Sequence, residues 1–97
     1  MPKFVMLLQY TDQGIRNVKD TTKRAAAFKS ENAAKFGVKV KELLWTHGQY
    51  DLVVVAEAPD DEAATACSLG AGRQGNVKVQ TLRAFEGVEL DAILKKI

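Results

Sequence analysis

Residues 51–58 read D-L-V-V-V-A-E-A and residues 4–8 read F-V-M-L-L, and these two stretches decide the fold. The first contains five consecutive apolar residues, from Leu52 to Ala56. Side chains of a β-strand point alternately to the two faces of a sheet, so a strand with one solvated face has polar residues at every second position. Neither stretch has that alternation. Both are therefore predicted to be central strands that are apolar on both faces.

The rest of the chain adds two strands and three helices to these central strands. Strands are predicted at 3–10, 38–46, 51–58 and 76–85. Three- and four-residue spacing of apolar residues predicts a helix over 15–36, with an irregular turn near 17–21 and a left-handed cap at Gly37. A second helix is predicted from an N-cap at Asp60 until the glycines begin at Gly70, and a tail helix over 88–97.

This order of elements, β-α-β-β-α-β plus a tail helix, predicts an α+β fold of the ferredoxin-like type in a single domain over residues 1–97. Right-handed crossovers place the first and third strands in the middle and both main helices on one face. In the second strand, strict alternation predicts that Leu43 and Trp45 lie on the face opposite to Val40 and Leu44.

Two helices cover only one face of such a sheet, so the aliphatic side chains on the other face need a second partner. An exposed apolar patch of that size usually marks an interface, and a second copy of the chain would cover it in a two-fold dimer. The alternative is a monomer whose tail helix folds back over this face. A homodimer, or a higher oligomer, is the prediction.

Composition limits the classes of partner. The chain has 97 residues, with 14 basic and 12 acidic side chains and a net charge of +2, so neither nucleic acid nor a membrane is an expected partner. The third strand also lacks the aromatic and basic residues with which RNA-recognition domains of the same topology bind bases. No apolar run reaches the length of a membrane span. With one cysteine, Cys67, the chain cannot form an internal disulfide, and a cytoplasmic location is expected.

Four segments of the sequence are distinctive: L-L-W-T at 43–46, G-Q-Y-D at 48–51, V-V-V-A-E-A-P-D-D-E-A at 53–63 and G-N-V-K-V-Q-T-L-R-A-F at 75–85. Together they resemble the GYD-domain family. Gly48, Tyr50 and Asp51 match the Gly–Tyr–Asp signature, and the resemblance extends over nearly the whole chain. It implies a dimeric α/β barrel. Members of that superfamily include cofactor-independent monooxygenases, isomerases, haem enzymes and ligand-binding proteins, so the fold does not specify a reaction.

Candidate site residues cluster in T-H-G-Q-Y-D, residues 46–51. His47, Tyr50 and Asp51 are candidates for acid–base chemistry, and Trp45, His47 and Tyr50 are candidates for ligand binding. Each also has a structural explanation, as a surface histidine, a tyrosine at a strand edge and an aspartate that binds turn amides. Gly48 is expected to take a positive φ angle in this turn.

Other motifs point away from cofactors. The segment G-A-G-R-Q-G at 70–75 matches a dinucleotide fingerprint in letters, but it follows a helix and precedes a strand, the reverse of what pyrophosphate binding requires. Its glycines are expected to cap the second helix, and Arg73 leaves a small anion site in the loop as the alternative. His47 is the only histidine, so no metal or other cofactor is predicted, although one histidine could act as a base or as an axial haem ligand. Cys67 is expected to be a packed core residue.

Two functions remain open from the sequence. The first is a homodimeric binding protein that holds a small, mostly apolar ligand in a pocket between sheet and helices. The second is a cofactor-independent monooxygenase- or isomerase-like enzyme. In that enzyme Tyr50 would position a substrate oxygen, His47 would transfer a proton and Asp51 would orient one of them.

Overall fold

A computed structural model describes all residues, 1–97, and confirms the predicted order of strands and helices. The strands are β1 Lys3–Tyr10, β2 Lys39–Trp45, β3 Leu52–Glu57 and β4 Val77–Ala84. The helices are α1 Asp12–Arg16, α2 Thr21–Ala27, α3 Asp61–Gly72 and α4 Gly87–Leu94, with a 3-10 turn at Val18–Asp20 and a π-helical segment at Phe28–Ala33 that continues α2. The strands form one antiparallel sheet in the order β2-β3-β1-β4, which is the ferredoxin-like arrangement.

The core lies between one face of this sheet and the helices. Alternate residues of the two central strands are buried there: Phe4, Met6 and Leu8 from β1, and Leu52, Val54 and Ala56 from β3. The helices contribute small side chains to the same cluster, among them Ala33, Ala64 and Cys67. This packing is what the two-sided apolar strands predict for their helix-facing side.

The opposite face of the sheet, here called the open face, carries no helix layer. Its apolar side chains are Val5, Leu7, Leu44, Val53, Val55 and Leu82, which stand side by side in the register of the four strands. The four on the central strands are half-buried by their neighbours, while Leu44 and Leu82 are 55% and 40% exposed. Charged side chains, Lys3, Lys39 and Glu57, border one end of this patch.

The tail helix does not cover the open face. It starts beside Lys3, which forms an ion pair with Glu86, and a capping box joins Glu86 to Glu89. The Glu86 carboxylate raises the pKa of Lys3, through a hydrogen bond and through its charge. Beyond this first turn Leu90, Leu94 and Ile97 stay exposed. A monomer covered by its own tail helix is therefore not what the structure shows.

A β-bulge in β2 overturns the predicted assignment of its faces. Val40 pairs with Ala56, but the next paired residue is Glu42, opposite Val55, so the register shifts at Lys41. An extra residue in one strand inverts the facing of every residue after it. Leu43 and Trp45 consequently lie on the helix side with Val40, and Leu44 lies on the open face, contrary to the prediction from alternation.

The second helix extends further than predicted. Gly70 and Gly72 belong to α3, and the left-handed residue that follows is Gly75, with φ of +88°. At Gly70 the reason is packing, because a Cβ there would lie 2.6 Å from Oδ1 of Asn32. The first of these glycines thus allows a close approach to the π-helical segment and does not end the helix.

Gly14 is the position where the fold most clearly requires a missing side chain. A Cβ at Gly14 would lie 1.9 Å from the carbonyl oxygen of Asn76, which already accepts a hydrogen bond from the amide of Thr11. Gly14→Ala should therefore destabilise the protein by about 1–3 kcal/mol through overpacking. The 1.9 Å approach to a backbone atom places the cost toward the upper end of this range, above the gain of about 1 kcal/mol that alanine gives inside a helix.

Urea unfolding followed by circular dichroism measures this change. Gly87→Ala is the matched control, since Gly87 lies at the start of a helix and a Cβ added there would meet no atom within 4 Å. The control should be neutral or slightly stabilising. Equal stabilities for the two variants would contradict the close contact at Gly14.

Candidate functional site

The turn between β2 and β3 is closed by its own backbone. The amide of Thr46 donates to the carbonyl oxygen of Asp51 over 2.8 Å, and the Thr46 hydroxyl donates to the carbonyl oxygen of Tyr50 over 2.5 Å. Gly48 has a φ angle of +142°, which confirms the expected positive value. These contacts place the predicted candidates at the end of the sheet where β2 leads into β3.

Tyr50 reaches across the sheet on its open face. Its hydroxyl donates to Oε1 of Gln80 over 3.1 Å, and Gln80 belongs to β4, on the far side of β1. Beside it, Nε2 of Gln9 donates to the carbonyl oxygen of Gln49 over 2.9 Å. The phenol of Tyr50 is half-buried and its hydroxyl proton is engaged.

Asp51 extends the pairing of the two central strands by one position. Its Oδ2 accepts from the backbone amide of Tyr10 over 2.7 Å, and its own amide donates to the carbonyl oxygen of Leu8 over 2.8 Å. A carboxylate that accepts from a backbone amide satisfies a donor at the end of a strand. The geometry therefore supports a structural task for this side chain.

His47 and Trp45 lie apart from these contacts. His47 is exposed and makes no hydrogen bond in the structure, and no hydrogen bond joins the side chains of His47, Tyr50 and Asp51 to one another. Because of the bulge, Trp45 points to the helix side, where its Nε1 donates to Oγ1 of Thr21 over 3.0 Å. The four candidates thus occupy different surroundings and do not converge on one point.

A cavity opens on the helix side of the sheet. No motif in the sequence predicts it. Its volume is about 320 Å³, near the lower limit of small-molecule pockets. Leu8, Leu52 and Val54 form its floor, and α2 with the π-helical segment forms one wall. Trp45, His47 and Tyr50 are not among its lining residues.

Three helix residues lining this cavity are alanines, Ala25, Ala27 and Ala71. Protein interiors are normally filled to the density of organic crystals, so an unfilled space of this size reflects the small side chains around it. The alanine-rich stretches of the two helices are the sequence signal that could have indicated the cavity, but alanine is also common in helices for its propensity alone.

One group of polar side chains lines the cavity near the start of α2. The hydroxyls of Tyr10 and Thr21 are 2.8 Å apart and both residues line the cavity. Arg24, one turn further along, donates through Nη1 to the carbonyl oxygen of Asn17 over 2.7 Å and through Nη2 to that of Gly14 over 3.3 Å. Glu31 and Lys35 line the cavity toward the end of the helical segment.

Cys67 is not a reactive group. It is fully buried in the core, and burial raises its thiol pKa to about 11. The thiolate is the nucleophilic form, so this side chain packs as a small apolar residue, as predicted. No three side chains of His, Cys, Asp or Glu are grouped in a way that could hold a metal ion. None of the helices has the length and apolar character needed to cross a bilayer.

Replacing Asp51 tests whether the signature turn is structural. Asp51→Ala should lower the free energy of unfolding by about 1–3 kcal/mol, because the amide of Tyr10 loses its acceptor at a partly buried position. His47→Ala is the control from the same turn and should change stability by less than about 0.5 kcal/mol. Thermal and urea unfolding of both variants measure the difference. A neutral effect of Asp51→Ala would contradict the structural task assigned to this carboxylate.

Comparison with known proteins agrees with this architecture. The family model of the GYD domain matches residues 4–94. A protein of Thermus thermophilus, described as "Glutamine synthetase and cystathionine beta-lyase binding protein", is 34% identical over 95 residues, which cover 98% of this chain and 100% of the relative. The crystal structure of FFRP-DM1 superposes with a TM-score of 0.57 over 88% of this chain and 100% of that one. At 21% identity this likeness shows the shared fold alone.

The family match extends over most of the chain, and the whole of the Thermus relative aligns with 98% of it. The Gly–Tyr–Asp signature lies where the structure uses all three residues: Gly48 turns the chain, Tyr50 bridges to β4 and Asp51 binds the end of β1. The chain belongs to the GYD-domain family.

Proposed function

We propose that this protein is a homodimeric binding protein that attaches to an enzyme of amino-acid metabolism. The observation that carries this proposal is the Thermus thermophilus relative, which is described as binding glutamine synthetase and cystathionine beta-lyase and which matches 98% of this chain. A chain of 97 residues with exposed apolar side chains on the open face and on α4 has the surface for such contacts. Its place of action in this proposal is the cytoplasm, and residues 1–97 act as one domain.

Dimerisation through the open face is the first part of the proposal. The apolar side chains of this face form a continuous patch, and the tail helix leaves it uncovered. Burying aliphatic side chains of this size gives about 1.5–3 kcal/mol for each one fully removed from water. A second copy offers the same patch and can cover it by a two-fold axis.

Binding of a small, mostly apolar ligand is the second part. The cavity on the helix side stays available in such a dimer because it lies on the other face of the sheet. The enzyme alternative requires Tyr50, His47 and Asp51 to act together. In the structure the hydroxyl of Tyr50 is bound to Gln80 and the carboxylate of Asp51 to a backbone amide, which supports binding over catalysis.

A charge on the open face should prevent dimerisation. Leu82→Arg places a guanidinium beside Val5, on the β4 side of the patch, where a partner sheet would remove it from water. Sedimentation equilibrium at micromolar concentration should report a dimer for the natural protein and a monomer for this variant. Leu69→Arg is the control, since Leu69 is 68% exposed on α3, away from the open face, and the dimer should persist. A natural protein that sediments as a monomer would contradict the proposal.

Attachment to an enzyme is tested with the two candidates that the relative's description provides. Glutamine synthetase and cystathionine beta-lyase from the protein's own source, each immobilised on a biosensor, should bind the natural dimer with saturable, reversible kinetics. An unrelated enzyme of similar size and charge serves as the control surface. Failure of both candidates to bind at micromolar concentration would refute this part of the proposal, whether or not the protein is a dimer.

A further inference from the structure

The cavity between the sheet and the helices has an apolar body and, near the start of α2, a group of polar side chains here called the polar end; Glu31 and Lys35 line it further along the helical segment. Its floor consists of aliphatic side chains from the four strands, Leu8, Leu43, Leu52, Val54 and Val77. The π-helical segment forms part of the wall, since Phe28, Glu31 and Asn32 line the cavity. Short π-helical segments distort a helix and occur frequently at functional sites. Shape and lining therefore fit a ligand with an apolar chain.

At the polar end, one of the two hydroxyl protons of Tyr10 and Thr21 has no acceptor. Oγ1 of Thr21 accepts from Nε1 of Trp45, which can only donate, and it shares a second hydrogen bond with the hydroxyl of Tyr10. Whichever of the two hydroxyls donates within the pair, the proton of the other remains unused. No other side chain or backbone group accepts it in the structure. The cavity thus contains a free hydroxyl donor beside α2.

Arg24 lines the same cavity as this donor and adds a positive charge that forms no ion pair. Two carbonyl oxygens of the α1 region fix it, those of Asn17 and Gly14, and most of its N–H groups remain unused. The ion pairs of the protein involve other residues, so no carboxylate neutralises Arg24. Since Thr21 and Arg24 lie three residues apart on one helix, their side chains are on the same face. A fixed guanidinium with a neighbouring hydroxyl suits a carboxylate.

We propose that the cavity binds a small monocarboxylic acid. Its apolar chain lies over Leu8, Leu52 and Val54, and its carboxylate accepts from Arg24 and from the Tyr10–Thr21 hydroxyl pair. This inference rests on the ligand-binding part of the proposed function and specifies the class of ligand. A chain of roughly six to eight carbon atoms suits a cavity at the lower limit of ligand pockets. Lys35 and Glu31, further along the helical segment, are not needed to hold the carboxylate.

Titration of the natural protein with three probes tests the inference. Octanoate has both the apolar chain and the carboxylate, octan-1-ol has the chain alone and acetate has the head group alone. Trp45 is the single tryptophan and binds Thr21 at the polar end, so its fluorescence reports occupancy, and calorimetry gives the affinity independently. Octanoate should bind saturably, about ten-fold or more tightly than octan-1-ol, because a charged hydrogen bond discriminates by about this factor. Acetate should not saturate at millimolar concentration.

Three variants locate the site. Arg24→Gln should weaken octanoate binding about ten-fold and leave octan-1-ol unchanged, and Arg24→Lys should restore part of the loss. Lys29→Gln is the matched control, because Lys29 is an exposed cation of the same helical segment that does not line the cavity. Ala71→Leu should fill the cavity and abolish the binding of both long-chain probes, with a melting temperature equal to or above that of the natural protein. Circular dichroism verifies the fold of each variant.

The inference is overturned by any of three results. These are equal affinity for octanoate and octan-1-ol, unchanged octanoate binding by folded Arg24→Gln, and absence of octanoate binding by the natural protein at millimolar concentration. Each result concerns the cavity alone. Sedimentation of Leu82→Arg and enzyme attachment are measured without these probes, so failure here is distinguishable from failure of the proposed dimer or of its enzyme partner.

Discussion

The structure depends on one constraint: its two central strands are apolar on both faces, and the chain provides a helix layer for only one of them. Burial of the alternate residues of β1 and β3 against the helices creates the core. The alternate residues that point to the other side, among them the cross-strand pair Val5 and Val55, form the open face. The hydrophobic effect acts on both faces alike, so the uncovered side chains favour association with another surface.

The order of elements was predictable from the sequence because each has a local cause. Apolar runs bounded by turn residues indicate strands, and Asp60 accepts from the amide of Ala63 as an N-cap should. The faces of β2 were not predictable, because the bulge at Lys41 comes from pairing with β3 and leaves no mark in the alternation. The position of Gly70 inside α3 was not predictable for a similar reason, since its close neighbour Asn32 is distant in sequence.

The candidate residues of the 46–51 turn stay a prediction, and no motif in the sequence indicated the cavity. His47, Tyr50 and Asp51 stood out because their side chains can transfer protons, but the structure holds two of them in hydrogen bonds within the sheet. The cavity has the opposite character. Small helix residues such as Ala25 and Ala71 leave its space free. Thr21 and Arg24 both line it because residues three apart lie on the same face of a helix. Space left by small side chains becomes apparent only when the elements are packed together.

The two edges of the sheet are protected against pairing with other chains. β2 and β4 are the outer strands. An outer strand exposes unpaired backbone groups, to which strands of further chains could add one after another. Here Lys39, Lys41 and Lys78 are exposed on these strands, and the bulge at Lys41 interrupts the ladder of β2. Charges and bulges at a sheet edge oppose the addition of further strands. Growth of the sheet into a fibre is thereby disfavoured, and its uncovered apolar area is confined to the open face.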